Sequence, residues 1–436
     1  MNSVILDKII NSQKNLIIEG DVLSGKTSKV LFPIVDDIVS KKESLLVIDS
    51  KEEYLKRYYE KFQSNGYNVV IINFRDLNKS EGWNPLEYPY KLYKSGNADR
   101  AQDYVEKIAK SIFFDKNDSD PYWSNATSDL FTGFTLGLFE DGMADEVNLN
   151  SVNAMFADSS ERFGASDLGE QYFTRRNSRS RPNIIASSVI CTPKETKMSI
   201  MSVAKQKMKV FASRELLSRL LSKTTFSYDD IIKKPTAIIL ITRDDNKTLS
   251  FLASMFIEQL YGLLLDKEHS KFNFILDNFD NIYNCYELSD ILNSCVSRNV
   301  RTFIETRSLE SLVKVYGAYI PVVCDLVSLN IPKSKLIINH QEEDFILDDE
   351  KVEYIEGNVQ YPTLMNNGSR VFDFKNYVKN IIMKSIDEGI KELPNATSER
   401  IDINDLIHKI ENKIREIEEE EIMSQTSELE QFKMYD

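Results

Sequence analysis

The sequence predicts an α/β fold: a mainly parallel sheet interrupted by an all-helical insertion and followed by an acidic helical extension. Three observations point there. Continuous apolar runs of strand length occur early and return late, amphipathic helical patterns separate them, and the long stretch between is helical in period.

The first strand is Asn15–Glu19 (NLIIE), followed at once by Gly20. A helical pattern then runs over 26–39, with Val30, Leu31, Ile34, Val35 and Ile38 on one face. Leu45–Asp49 and Asn68–Asn73 are continuous apolar runs, with a charged helical segment near 52–64 between them. Continuous rather than alternating hydrophobicity suits strands buried on both faces. Beyond Trp83-Asn84-Pro85-Leu86 helical periodicity dominates, over 101–112, 124–138 and 194–221. Strands return at Thr236–Ile241, Phe272–Asp277 and Val300–Glu305, and from about Phe374 the chain reads as increasingly acidic helices. The expected domains are a nucleotide-binding domain from 1–95 and 223–375, an all-α insertion over 96–222, and a C-terminal extension over 376–436.

At 436 residues, with 42% hydrophobic and 28% charged residues, the chain is in the globular range. No apolar run approaches the ~18 residues of a membrane span, and the N-terminus lacks the pattern of a secretory signal. Four dispersed cysteines and three histidines, without a C-x-x-C pair, argue against a disulfide scaffold or a zinc site and suit a reducing cytoplasm. The net charge of −14 is uneven: residues 395–436 carry 12 acids against 5 bases. The rest is only mildly acidic, which leaves room for a local basic surface that holds nucleic acid.

Gly20-Asp21-Val22-Leu23-Ser24-Gly25-Lys26-Thr27 satisfies G-x-x-x-x-G-K-[ST] between a strand and a helix. There the glycines let backbone N–H groups curl around phosphate oxygens, and the helix N-terminus favours negative charge. The cradle is read as Gly20, Ser24, Gly25, Lys26, Thr27 and Ser28, for ATP with Mg2+. Lys26 would reach the β/γ-phosphates and the Thr27 hydroxyl would complete the magnesium shell. The plainer alternative is a glycine turn before a surface helix. A second carboxylate is expected at a neighbouring strand end: Asp277 is the first candidate, Asp49 its rival. Asn278 follows Asp277, where an amide cannot accept the proton of an attacking water.

Several motifs together resemble the type IV coupling proteins, the TraG-like ATPases of conjugation and type IV secretion. Asp49-Ser50-Lys51-Glu52-Glu53-Tyr54 is similar to the family's D-P-K-G-E-L/Y segment. Trp83-Asn84-Pro85-Leu86 matches its W-N-P-L/F step, and Asp120-Pro121-Tyr122-Trp123 with Ala126 its D-P-F/Y-W…A. Ser297-Arg298-Asn299-Val300-Arg301, Arg307-Ser308-Leu309 and Tyr316-Gly317 resemble its R-S-x-G-I-R…Q-S-L…Y-G block. The order holds from about 15 to 340.

The resemblance implies a RecA-like P-loop NTPase domain, hexameric rings, and a coupling ATPase that brings a relaxase–DNA complex or secreted effector to the channel components. Alternatives are a hydrolysis-impaired docking receptor in the same machinery and a DNA-translocating ATPase outside secretion. Asn278 stands where the family has glutamate, Asn299 where it has glycine, and Arg307 where a glutamine senses the γ-phosphate, so Arg307 joins Lys26 and Asp277 as a catalytic candidate. Arg298, Arg301 and Arg307 are candidates to complete a neighbour's site. The family's membrane helices have no counterpart in the 19 residues before Gly20. The expected location is therefore cytoplasmic, at the inner face of the membrane through partners, a separate membrane subunit among the candidates. Arg175, Arg176, Arg179 and Arg181, flanked by Tyr172 and Phe173, form a candidate single-stranded nucleic-acid contact or a solvated polar loop. Trp123 is a buried anchor or a recognition aromatic, and the acidic tail a solvated end or a dock for a basic protein.

Overall fold

The computed structural model describes residues 8–114, 120–163, 166–243, 249–279, 285, 287–294, 296–318, 320–329, 334–338, 341–345, 359–364, 369–391 and 412. The acidic tail over 395–436 lies outside the described residues, apart from Asn412. Two compact units are present. Residues up to Pro121, Val147–Asn150 and Val210–Ser369 form the first, and Tyr122–Glu146, Ser151–Lys209 and residues from Arg370 on form the second.

The first unit is built on one sheet of nine strands. In chain order they are β1 (Asn15–Gly20), β2 (Ser44–Asp49), β3 (Asn68–Asn73), β4 (Thr236–Ile241), β5 (Phe272–Leu276), β6 (Val300–Thr306), β7 (Cys324–Leu329), β8 (Ser334–Ile338) and β9 (Gln341–Phe345). They lie side by side as β9-β8-β7-β1-β6-β5-β2-β4-β3. All pairings from β7 to β3 are parallel, and β8 and β9 extend that edge antiparallel. Both faces are buried, as continuous apolar strands require. Leu45, Val47, Ile239, Ile275, Phe303 and Val327 pack into a core with the helices Phe32–Ser40 and Glu53–Ser64. Their alternates Leu46, Ile48, Ile238, Leu240, Phe274 and Ile304 are equally buried on the other face. Each such side chain contributes about 1.5–3 kcal/mol.

The six expected strands form within a residue or two of their expected bounds, and β7 to β9 add to them. Asp325 and Ser328 interrupt the apolar pattern of β7 (CDLVSL), yet the strand lies directly beside β1. Asp325 is tolerated inside because the Ser12 hydroxyl donates to it at 3.1 Å and Lys14 lies 3.5 Å away. The helix expected over 26–39 is a π-helical turn, Lys26–Leu31, running into an α-helix with Pro33 at its start.

The expected insertion over 96–222 does not coincide with the division between the units. The helices Ala98–Phe113 and Glu215–Leu220 belong with the sheet. Tyr104, on the buried face of the former, donates from its hydroxyl to Asp266 at 2.9 Å, at the end of the helix Ser250–Asp266. Trp83-Asn84-Pro85-Leu86 joins these pieces. Trp83 is fully buried and donates from Nε1 to Gln259 at 2.8 Å, and Gln259 donates back to the Pro85 carbonyl at 2.7 Å. Asn84 Nδ2 reaches the carbonyls of Val147 at 2.6 Å and Ser222 at 3.3 Å.

The second unit is helical, with Pro121–Asp141, Leu149–Asp158, Leu168–Thr174, Arg181–Ile190, most of Lys194–Ser213, and Phe374–Lys391. Phe134, Phe156, Phe173 and Phe374 pack edge to face and tilted at its centre. Among the described residues no helix is long and apolar enough to cross a membrane.

Two non-glycine residues sit in the left-handed region where the resembled pattern has glycine: Glu52 at φ 60° and Asn299 at φ 59°. Asparagine tolerates this region, whereas a glutamate there is disfavoured by roughly 1–2 kcal/mol. Glu52→Gly should leave urea-unfolding stability unchanged or raise it by about 1 kcal/mol, and Glu52→Val should lower it.

Candidate phosphate-binding site

Parallel strands bring their C-terminal ends to one edge of the sheet, where ligands of open α/β sheets gather. The ends of β1, β2, β5 and β6 surround a cavity of about 460 Å³. Its lining includes Ser24–Ser28, Asp49, Tyr54, Asp277, Asn278, Glu305 and Arg307.

The loop after β1 needs its glycines for two reasons. A Cβ on Gly20 would stand 2.7 Å from Ser24 Oγ and 2.8 Å from the Leu329 carbonyl oxygen. Gly25 takes φ 89° immediately before the helical turn. Lys26 follows, only 7% exposed, with Nζ 2.8 Å from Glu305 Oε1 and 3.0 Å from the Asp21 carbonyl, and also bonded to the Gly20 carbonyl. The Ser24 hydroxyl is buried without a hydrogen-bond partner among the described residues. An acceptor-rich ligand in the cradle would satisfy it.

The two carboxylate candidates are separated by what they hold. Asp277 Oδ2 accepts from the Thr27 hydroxyl at 3.3 Å and from the Tyr54 hydroxyl at 2.8 Å. Burial pushes its carboxyl up against those two bonds, a penalty that a bound cation would relieve. Asp49 instead caps the helix after β2, with Oδ1 accepting from Glu53 N and Oδ2 from Leu55 N, both at 2.9 Å. The carboxylate paired with the phosphate-loop threonine is therefore Asp277. Its strand is not the neighbour of β1, however: β6 lies between them. Arg307, just beyond β6, is exposed at the cavity's mouth.

Two further residues join the site that the sequence does not single out. Tyr54 stands in the sequence only as part of a motif, and its hydroxyl orients Asp277. Glu305 stands there only as a strand end, yet it is 5% exposed and holds both Lys26 and the Asn278 N–H, the latter at 2.6 Å. Its signal is position: a charged residue closing an apolar strand in a parallel sheet.

This set fits a polyphosphate with a divalent cation: a glycine cradle, an orphaned hydroxyl, a lysine paired with a carboxylate, and a threonine and aspartate already in contact. Residues 15–319 match the family model for type IV secretory system conjugative DNA transfer. The chain belongs to that family. Among solved structures, this family member is similar to the bacterial conjugative coupling protein TrwBdeltaN70 in complex with sulphate, at 14% identity and a TM-score of 0.53, over 76% of this chain and 77% of that one. TrwB in complex with the ATP analogue ADPNP aligns over 77% and 78% at 14% identity with the same score. VirB4 of Thermoanaerobacter pseudethanolicus aligns over 77% and 89% at 9% identity, with a TM-score of 0.50. These likenesses show a shared RecA-like α/β fold. No curated protein matches the sequence.

The remaining candidates divide. Arg301 is 4% exposed and donates to the carbonyls of Lys14 at 2.8 Å, Ile10 at 3.2 Å and Ile9 at 2.6 Å, so it anchors the chain start and cannot serve a neighbour. Desolvation lowers its guanidinium to about 10. Arg298 is exposed. In the helical unit Arg176 pairs with Asp141 at 2.5 Å and Glu140 at 2.6 Å and lies over the Tyr172 ring. Tyr172 and Phe173 are buried in the helical core, so they offer no face for stacking a base. Arg175 and Arg179 are exposed and Arg181 is half-buried, with Lys194, Lys205, Lys207 and Lys209 also exposed. Trp123 is half-buried, edge-on to Tyr122 at 5.2 Å.

Burial raises Asp49 from 3.8 to about 7 against its two backbone hydrogen bonds. A raised folded-state value means that its contribution is full below pH 3.8 and is lost as pH rises through about 7. Relative to Asp49→Asn, the wild type should thus lose at most about 4 kcal/mol between pH 4 and 8, read from urea unfolding at both values.

Proposed function

We propose that the chain is a coupling ATPase that binds Mg-ATP at Gly20–Ser28 with Asp277 and delivers a relaxase–DNA complex or effector to a type IV secretion channel. The observation that carries the reading is the Thr27–Asp277 contact, in a cradle whose serine hydroxyl is buried without a partner among the described residues. TrwB solved with ADPNP, and with ADP and Mg2+, supports the choice of ligand. Lys26 would pair with the β/γ-phosphates, and Thr27 and Asp277 would hold the metal. Magnesium supplies charge neutralisation on the phosphate oxygens. Tyr54 keeps Asp277 aimed at the cavity. Arg307 lines the cavity and is exposed, as a residue acting in a ring of subunits would be; a hexamer follows from this reading. Partners at the inner face of the membrane, including a separate membrane subunit, would place the complex.

A second reading, a docking receptor that binds ATP without turning it over, is favoured by Asn278, whose amide cannot take a proton. ADPNP binding and ATP turnover measured with Mg2+ separate the two. Under the main reading wild type hydrolyses ATP, and Lys26→Ala lowers turnover about 100-fold or more. Nucleotide binding without turnover supports the receptor, and absence of both removes the nucleotide reading.

For cargo, the exposed Arg175 and Arg179 with the half-buried Arg181 are the candidate DNA contact, and Arg176 is a structural pin. Arg175, Arg179 and Arg181 changed together to alanine should weaken single-stranded DNA binding. The log–log salt dependence should flatten by about 0.7 for each phosphate that is no longer neutralised. Unaltered affinity and slope would remove the assignment.

A further inference from the structure

We propose that Glu305 is the carboxylate that accepts the proton of the attacking water during ATP hydrolysis, the task that Asn278 cannot perform. The inference rests on the nucleotide reading above and adds a catalytic residue to it.

Strand register places Glu305 between the two halves of the site. Ile18 of β1 pairs with Glu305 on one side, and Leu276 of β5 pairs with Ile304 on the other. Its carboxylate therefore stands between the phosphate loop that follows β1 and Asp277, which follows β5. Both oxygens are engaged, and in different ways. Oε2 accepts the Asn278 N–H at 2.6 Å, a backbone bond that fixes the carboxylate's orientation. Oε1 holds Lys26 Nζ at 2.8 Å. Lys26 is the residue a nucleotide's phosphates would claim, and that exchange leaves Oε1 as an acceptor in the cavity while Oε2 stays anchored.

The other carboxylates of the cavity are less suited. Asp49 spends both oxygens on the N–H groups of Glu53 and Leu55. Asp277 takes the Thr27 and Tyr54 hydroxyls on Oδ2 and, under the nucleotide reading, is committed to the metal. Asp21 is exposed, and Glu53 is half-buried at the start of its helix. Among the described residues, Glu305 is the carboxylate that contacts the phosphate-loop lysine.

The step balances with water and ATP alone. The water oxygen bonds to the γ-phosphorus as the bond from that phosphorus to ADP's bridging oxygen breaks. The water's proton passes to Glu305 and then to the released phosphate, which regenerates the carboxylate.

The test uses the full chain, with ATP turnover, ADPNP affinity and melting temperature measured for wild type, Lys26→Ala, Glu305→Gln and Glu53→Gln. Glutamine keeps a carbonyl for the Asn278 N–H, so Glu305→Gln is expected to fold. Its turnover should fall about 100-fold or more. Its ADPNP affinity should hold or tighten, because Lys26 loses its competing partner. A Glu305→Gln enzyme that retains turnover overturns the assignment, as does a tenfold loss of ADPNP affinity or a collapse in melting temperature, either of which marks a structural role. Loss of turnover in Glu53→Gln with retention in Glu305→Gln transfers the role to Glu53. Wild type that binds ADPNP without Lys26-dependent turnover overturns the inference but leaves nucleotide binding standing. Wild type that fails to bind ADPNP overturns both.

Discussion

A parallel sheet buried on both faces has nowhere to place polar chemistry except at the ends of its strands, and the first unit follows from that constraint. Leu45–Ile48 and Ala237–Ile241 are buried throughout. The polar residues at strand ends, Asp49, Asp277 and Glu305, are therefore forced together at the C-terminal edge. Strand order decides which of them meet the loop after β1. Because β6 lies between β1 and β5, the residue closest to the loop lysine is the one near the end of β6.

Concentrating charge at a dry edge is unfavourable unless each ion is paired and hydrogen-bonded. Lys26 and Glu305 are each 7% exposed by side chain, so each would lose several kcal/mol of hydration if left alone. The pair is completed on both sides: Lys26 by the carbonyls of Gly20 and Asp21, Glu305 by the Asn278 N–H. Arg301 solves the same problem by giving its donors to the backbone carbonyls of Ile9, Ile10 and Lys14, with the Asp325 carboxylate adding a favourable charge. Arg301 is held by backbone carbonyls, whereas Lys26 divides its donors between two backbone carbonyls and the Glu305 side chain. That difference suits Arg301 to a structural role and, under the proposed nucleotide reading, lets Lys26 exchange its carboxylate partner for phosphate.

Much of this is legible in the sequence where a local rule applies. Continuous apolar runs mark six of the nine strands, and the glycines of the phosphate loop answer to a clash at Gly20 and a positive φ at Gly25. What cannot be read there depends on partners remote in sequence. Glu305 looks like any strand boundary until β6 is placed beside β1. Arg176 reads as one of four equivalent cations, but Glu140 and Asp141 claim it. Tyr172 and Phe173 read as flanking aromatics, but their short helix turns them into the core against Phe134. β7 is hidden because a buried aspartate breaks its pattern, and it is the Ser12, Lys14 and Arg301 partners, remote in sequence, that make that aspartate acceptable.

The asparagine after Asp277 is part of the same balance rather than a simple loss. Asn278 adopts φ 53°, a conformation that asparagine tolerates better than glutamate. Its N–H is spent on Glu305 and its side-chain amide on Ser50 Oγ at 3.3 Å. A glutamate at 278 would add a further acidic side chain to a cavity already lined by Asp49, Asp277 and Glu305, where like charges oppose one another. With a neutral residue at 278, the buried glutamate on β6 pairs with Lys26 and holds the 278 backbone at the same time.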